Sequence, residues 1–283
     1  MTGPQPGKPP RPANSAILRQ LRTIRGRVVA GIGLITATVV TVLATHATDA
    51  VLGSASKARF DPSHPFAVTV THFSNADGIV FALPEPLASG PDRVAFLGGS
   101  YSDIDALRTF ARQHDGAVVN RDDFTLTITQ PHQWKVQLVN LELVDVTKAA
   151  PLHGADFHIY TQGGGPTPAV PVDVNLDHQH PAVLGDDGRP IFESGTFTLG
   201  SDDVLEFDVH VQCYRYAARW ALRATYLDPQ SKTRTIEIGE TGTYPVGATP
   251  RADRFSITGQ SPRYETVYQQ TASGTVVDAG PGR

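Results

Sequence analysis

The sequence predicts a mainly β protein: an immunoglobulin-like β-sandwich with a small α+β N-terminal lobe, preceded by one transmembrane helix. Three observations lead to this prediction. Apolar and polar residues alternate with a period of two in several short segments, which is typical of half-buried strands. The 26 glycines and 22 prolines favour short strands joined by turns. An apolar block near the start of the chain is long enough to cross a membrane.

The apolar block runs from Val28 to Thr45, 18 residues without a charge. With the residues that follow, it predicts a membrane helix over 28–50, whose single-pass span anchors the chain in the lipid bilayer. The six basic residues that precede Asp49 all lie on its amino side, so the positive-inside rule places residues 1–27 in the cytoplasm as a disordered basic tail. The C-terminal domain is then extracellular.

A cleaved signal peptide is the alternative reading of the same block. Thr45-His46-Ala47 and Thr48-Asp49-Ala50 resemble small-x-small cleavage sites. The long basic arm and the length of the apolar run favour an uncleaved signal-anchor. Cleavage would make the protein a secreted one.

Charge is divided along the chain. Asp49 is the first acid, and six of the 24 basic residues precede it, so the remainder carries 18 basic against 28 acidic residues. This acidic excess argues against a nucleic-acid partner for the body of the protein.

After a linker over 51–65, the segments "FAVTVTHF" from Phe66 and "FTLTIT" from Phe124 alternate as half-buried strands. Between them, Ser102 is a candidate N-cap and Gly116 a candidate stop for a helix. The apolar face of this helix contains Ile104, Leu107, Phe110 and Ala111.

Further strands are expected in the second half of the chain. In "WKVQLVNLELVDV" the apolar positions change parity, which predicts a β-bulge near Val139 and Asn140. "VPVDVNL" predicts a strand with Val170, Val172, Val174 and Leu176 on one face. Residues 204–228 predict a hairpin whose outer acids and bases pair across it, with Cys213 on the core side. Cys213 is the single cysteine, so no intrachain disulfide can form.

These segments define an extracytoplasmic β-rich domain over 66–248. The short, regularly spaced strands and a Trp in a central strand predict the sandwich over about 134–248, with the α+β lobe over 66–131. Residues 249–283 are predicted to be a mostly disordered C-terminal tail with at most an edge strand at 255–258.

A basic tail, one anchor helix, "FAVTVTHF" soon after it, and "LEFDVHVQCYRYAARWALRATY" before "TRTIEIGETGTYPV" form one layout. This layout resembles uncharacterised actinobacterial single-pass membrane-anchored proteins with an extracytoplasmic β domain. The resemblance covers most of residues 25–248 and implies location and fold, without functional residues.

The loop "DVNLDHQHPAVLGDD" is the best candidate site. His178 and His180 lie two residues apart, so an extended backbone would point both rings to one side. Asp173, Asp177, His153 or His158 could complete a tetrahedral metal site, but no zinc-binding spacing is present, and a polar loop without metal is the favoured reading.

Other motifs are better explained as structure. Four aspartates beside glycines could suggest calcium, but hairpin turns need the same residues: Asp186, Asp187, Asp202 and Asp203. "LGGSYSD" (97–103) lacks the phosphate-loop and nucleophile frames. Nothing marks Glu193 and Glu206 as a glycosidase pair.

The sequence therefore predicts a membrane-anchored interaction or structural module of the cell envelope. We expect no catalytic motif, cofactor or metal, and an unknown envelope protein or ligand as partner. The alternative is a secreted metal- or ligand-binding β domain, enzymatic or not, that uses the His178/His180 loop. Signalling is a third class, and it would need a partner helix packed at Gly31 and Gly33 because the cytoplasmic tail is short.

Overall fold

Strands dominate the part of the chain that the computed structural model describes, residues 60–62, 64–73, 78–98, 104–159, 169–193 and 195–282. Within these ranges the elements are β1 (Ala67–Phe73), β2 (Ile79–Leu83), α1 (Pro91–Gly98), α2 (Ile104–Gln113), β3 (Ala117–Thr129), β4 (Val136–Ala149), β5 (Ala155–Ile159), β6 (Val170–Asn175), β7 (Phe197–Leu199), β8 (Val204–Cys213), β9 (Ala217–Leu227), β10 (Thr233–Ile238), β11 (Thr243–Tyr244), a 3-10 turn (Arg251–Asp253), β12 (Phe255–Thr258), β13 (Thr266–Gln270) and β14 (Val276–Gly280). The prediction of a mainly β protein is confirmed.

Strand β3 connects the whole arrangement. Its carboxyl-terminal half pairs with β1 and β8, and its amino-terminal end pairs with β2 and β12. The longest path of paired strands runs β11-β10-β9-β12-β3-β2-β5-β13-β14, and β4 pairs with β7 and β9. The sheet is mixed, because β12 is parallel to β3, β13 to β5 and β6 to β8.

The larger hydrophobic core is formed by side chains from β1, β3, β6 and β8 together with side chains from β4, β9, β10 and β12. Three fully buried rings stack at its centre. The Trp220 and Phe255 centroids are 4.4 Å apart, and those of Phe255 and Phe124 are 5.0 Å apart. Burial of such large aromatic surfaces contributes strongly to folding.

The smaller core lies where α1 and α2 pack on β2, β5 and β13. Phe96 of α1 stacks on Phe110 of α2 at 4.8 Å and meets Phe157 of β5 edge-on at 5.2 Å. The predicted helix and its apolar face are therefore present. The predicted range of this lobe, 66–131, is too short, however, because β5 and β13 also belong to it and lie later in the chain.

Helix α2 ends differently from the expectation. Asp115 has the left-handed backbone conformation, with φ of 56°. Gly116 is required for space instead, because a Cβ there would lie 2.6 Å from Leu83 Cδ2 and 2.8 Å from the Ala82 carbonyl oxygen. This glycine lets the chain leave the helix close against β2.

The predicted hairpin over 204–228 is wrong. In the described residues β8 pairs with β3 and β6, whereas β9 pairs with β4, β10 and β12. The acids and bases of β8 and β9 do not pair with each other: Arg219 bonds Asp115, and Arg223 bonds Glu237. Two strands that contribute to one core without pairing with each other show the same alternation as two neighbours, so the pattern alone does not identify the pairing.

The predicted disordered tail over 249–283 is also wrong, because these residues form the 3-10 turn, β12, β13 and β14. Strand β12 is not at an edge, since it lies between β3 and β9. Its Phe255 and Ile257 are fully buried. Short, sparse apolar segments acquire their order here from long-range pairing.

The bulge predicted near Val139 and Asn140 is confirmed by a register shift between Leu138 and Asn140. Cys213 is fully buried, as expected. Several predictions lie outside the described residues: the basic tail 1–27, the transmembrane helix 28–50 and the Ser102 cap. Within the described residues, no helix is long and apolar enough to cross a membrane.

A buried ion cluster lies where the two cores meet. Arg108 of α2 donates two hydrogen bonds of 2.9 Å to the two carboxylate oxygens of Asp122 on β3, and one of 3.0 Å to Glu240, which follows β10. His72 of β1 lies 3.4 Å from Asp122 and 3.3 Å from Glu240. The side chains of these four residues are at most 5% exposed. The cluster thus joins α2, β1, β3 and the end of β10.

The carboxylates of this cluster are held ionised. Burial alone would raise the pKa of Asp122, but the nearby Arg108 and His72 hold it well below its ordinary value. For Glu240, burial again opposes ionisation, and contacts with His72, Arg108 and Arg112 lower its pKa. The pKa of Arg108 is raised, because its two carboxylate partners outweigh its burial.

Replacing Arg108 by alanine should lower the free energy of unfolding by about 3–5 kcal/mol, because the buried Asp122 loses its guanidinium partner and Glu240 loses the nearer of its two arginines. Urea unfolding of the full-length protein measures this change. The matched control is Arg112→Ala, whose side chain is 25% exposed and 3.4 Å from Glu240, with an expected loss of about 1 kcal/mol or less. Equal losses for the two variants would contradict the assigned role.

Candidate interaction site

A three-residue connection between β8 and β9 forms the most exposed aromatic feature near the larger core. We call Tyr214, Arg215 and Tyr216 the arch, because they carry the chain between strands that are not paired with each other. The side chains of Tyr214 and Tyr216 are 54% and 37% exposed, and Arg215 is exposed. Tyr and Arg are the residue types enriched among residues that dominate binding energy in protein interfaces.

The carboxylate of Asp177 fixes the backbone of the arch. Its Oδ2 accepts a hydrogen bond of 2.9 Å from the Tyr214 amide, and its Oδ1 accepts one of 3.0 Å from the Arg215 amide. Asp177 itself follows β6, and the Asp177 amide bonds the Asn175 side chain at 2.9 Å. Two charge-assisted hydrogen bonds thus hold consecutive amides in one conformation.

Cys213 and Gly259 also hold the backbone of the arch. The Cys213 thiol donates to the Tyr216 carbonyl oxygen at 3.1 Å, and the Gly259 amide donates to the same oxygen at 2.8 Å. A Cβ at Gly259 would lie 2.3 Å from the Tyr214 carbonyl oxygen, so a glycine is needed for this close approach. Burial raises the pKa of Cys213, which keeps the thiol protonated as a donor.

Two cations, Lys148 and Arg215, lie at the arch, next to the Asp177 carboxylate that the arch amides bond. Lys148 Nζ lies 5.2 Å from the centre of the Tyr216 ring, within cation–π range. The same ammonium donates to the His178 carbonyl oxygen at 2.7 Å. Among the described residues, no carboxylate forms an ion pair with Arg215. The arch therefore offers two aromatic rings and two cations on a body with an acidic excess.

The chain enters the body at the end opposite to the arch. The Pro62 carbonyl oxygen accepts from the Tyr226 hydroxyl at 2.9 Å, and the Pro65 carbonyl oxygen accepts from the Gln130 side-chain Nε2 at 3.0 Å. Tyr226 lies at the end of β9, whereas the arch precedes its start. At about 3.3 Å per residue, β8 and β9 separate the two ends by about 30 Å.

The structure separates most of the residues considered for a metal site. His178 and His180 are exposed, and Asp177 beside them is bound to the arch. His153 pairs with Glu265 at 3.6 Å, and His158 of β5 bonds Asp156 at 3.0 Å. Among the residues that the structure describes, no three His, Cys, Asp or Glu side chains are grouped so that they could hold a metal ion.

The aspartates beside glycines form turns, as the favoured reading predicted. Asp187 Oδ1 accepts from the Arg189 amide at 3.0 Å, and Asp203 Oδ2 accepts from the Gly200 amide at 2.7 Å. Asp202 has a positive φ of 61°. Glu206 lies on β8 opposite Thr127, whereas Glu193 lies in the turn after Pro190.

Because the sequence pattern predicts a hairpin over 204–228, it does not indicate the arch. A two- or three-residue hairpin usually needs Gly, Asn or Asp to adopt positive φ, and "YRY" contains none of them. That mismatch is the signal that could have identified a connection between strands that do not pair, with exposed aromatic residues at its tip.

Comparison with protein-family models, curated proteins and solved structures gave no match to this chain.

Replacing Asp177 by alanine should free the arch, because the Tyr214 and Arg215 amides lose their acceptor. We expect hydrogen exchange at these two amides to accelerate at least tenfold, which corresponds to the loss of a charge-assisted hydrogen bond. Mass spectrometry of peptides that cover 212–217 measures the exchange in the full-length protein. Asp173→Ala, an exposed aspartate on β6, serves as the matched control. Unchanged exchange in the Asp177 variant would show that other contacts fix the arch.

Proposed function

We propose that this chain is an interaction module of the cell envelope, anchored by a membrane helix over 28–50, which binds an acidic segment of another envelope protein through the arch. The location rests on the sequence: the uncharged apolar block and the arginines on its amino side. The choice of the arch as the binding surface depends on the geometry of Tyr214, Arg215 and Tyr216.

The observation that carries the proposal is the rigid exposure of the arch at the end of the body opposite to chain entry. Solvent-exposed tyrosines without a structural role are usually free to move, but here Asp177, Cys213 and Gly259 all hold the backbone that carries them. Preorganisation of this kind lowers the entropy cost of binding. The arch lies at the end of β8 and β9 opposite to Pro62 and Pro65.

Charge complementarity selects the class of partner. Arg215 and Lys148 are available to carboxylates, and the two tyrosines supply apolar area with polar hydroxyl ends. The rest of the body has more acids than bases, which disfavours acidic partners elsewhere on its surface. An acidic segment with apolar or aromatic side chains matches the arch best.

An immunoglobulin-like sandwich is the finer fold that we propose for the larger core. Supporting it, β8 and β9 pair with different sets of strands while both contribute side chains to the same core, and Trp220 is buried at the centre. Loops at the end of such a sandwich are common binding sites. The arch lies in that position.

Fractionation of the natively expressed protein tests the location. We expect a full-length chain of 30.3 kDa in the membrane pellet, shortened when protease is added outside intact cells. An uncleaved anchor with the body outside requires both results. A soluble form that begins near Thr48 or Val51 would show cleavage and would refute anchoring, although not binding by the arch.

Changes in the arch test the surface. Co-purification of full-length protein from solubilised envelopes, quantified for each partner, should fall at least tenfold in Tyr214→Ala/Tyr216→Ala, because aromatic anchors account for most of such binding energy. Arg215→Ala should weaken binding and reduce its sensitivity to salt.

Val204→Ala is the matched control, because Val204 is 56% exposed and begins β8 at the chain-entry end. This variant should retain the partner. The proposal fails if the retained protein has no acidic segment, if Val204→Ala loses binding equally, or if the bound molecule is a glycan.

A further inference from the structure

A hollow lies apart from the side chains of the arch, on the face of β5 that points away from the helices. Alternation places Phe157 in the smaller core and its neighbours Asp156 and His158 on the opposite face. These two side chains, together with Gln260, Arg263 and Tyr264 from the connection after β12, line a space of about 470 Å³. Its size suits a monosaccharide-sized ligand.

Asp156 is the unusual residue of this hollow. Its side chain is 6% exposed, and its Oδ2 lies 3.0 Å from His158 Nε2. Its other oxygen, Oδ1, is buried and has no hydrogen-bond partner among the described residues. A buried carboxylate oxygen without a donor is costly and rare in folded proteins, so it marks a position where an additional donor would be stabilising.

His158 bonds the other oxygen of the same carboxylate. Its side chain is 42% exposed and lines the hollow, so its ring can contact a ligand there. The hydrogen bond with Asp156 raises the pKa of His158, which favours the protonated ring beside the carboxylate. A neutral hydroxyl can donate to Oδ1 without placing a second cation beside that ring.

The rim of the hollow supplies hydrogen-bond donors, whereas Asp156 supplies an acceptor. Arg263 and Gln260 are exposed and supply donors. The Tyr264 hydroxyl accepts a hydrogen bond of 3.0 Å from the Ser261 amide, which fixes its ring as a wall. A ligand that fits has hydroxyl donors at the Asp156 end and an anionic acceptor at the Arg263 end.

We propose that this hollow binds a sugar acid, a hydroxylated carboxylate of the hexuronate class, with a hydroxyl bonded to Asp156 and the carboxylate bonded to Arg263. This inference is independent of the proposed function, because it uses neither the anchor nor the side chains of the arch. The carboxylate group distinguishes the ligand from a neutral sugar, and the hydroxyl groups distinguish it from a simple anion.

Calorimetric titration of the full-length protein in detergent with glucuronate, glucose and acetate tests the proposal. We expect glucuronate to bind most tightly, and Asp156→Asn and Arg263→Ala each to weaken its binding about tenfold or more, since the first removes the charge of the acceptor and the second removes a charged donor. The shape of Asp156 is kept in the asparagine variant. Asp173→Asn, on a different strand, should bind glucuronate as the unchanged protein does.

The ring signals of His158 give a second readout that does not depend on heat. Glucuronate should shift them in spectra of histidine-labelled protein, and Arg263→Ala should require more ligand for the same shift. If glucose binds as tightly as glucuronate, the ligand carboxylate has no role in binding. If acetate binds as tightly as glucuronate, the hollow is a simple anion site. Either result, or no binding of any of the three, overturns the proposal.

Discussion

The bidentate ion pair between Arg108 and Asp122 is the interaction on which the two cores depend. Asp122 lies on β3, between the end that pairs with β2 and β12 and the half that pairs with β1 and β8. Arg108 lies on α2, whose Leu107 belongs to the smaller core. Glu240 adds the end of β10 to the same guanidinium. A hydrophobic contact at this junction would tolerate sliding, whereas two parallel hydrogen bonds to one carboxylate fix the angle between helix and strand. Both surfaces that we propose for binding belong to the end of the body that this cluster stabilises.

Local patterning predicted the faces of the strands well and their partners poorly. The buried positions of "FTLTIT", the core-facing Cys213 and the bulge near Val139 followed from period-two alternation, because alternation reports which side chains point inward. The same alternation does not distinguish paired neighbours from strands that share a core without pairing, so it wrongly predicts a hairpin of β8 and β9. Turn chemistry carried the missing information, since "YRY" lacks the residues that a tight hairpin needs.

The candidate site was predictable only in part for a related reason. The loop after β6 attracted attention through His178 and His180, but its structural role depends on Asp177, which binds two amides 37 and 38 residues later in the chain. The sequence pattern does not predict β13 and β14, and gives β12 only as an edge strand, because their segments are short and weakly apolar. Strand β13 is ordered by parallel pairing with the distant β5. Asp156 and the residues from 260 to 264 meet through that pairing and through the pairing of β12 with β3. Contacts at such sequence separations leave no periodic signal.

The chain enters the body at one end, and we propose that a partner binds at the other. Site-specific photo-crosslinking in living cells tests this most directly, with a photoreactive residue at position 214 in one variant and at position 204 in another. Both positions are exposed and lie at opposite ends of β8. We expect a discrete crosslinked protein with an acidic segment from position 214 and no such product from position 204. Crosslinks from 204 alone, or the same product from both positions, would contradict the account.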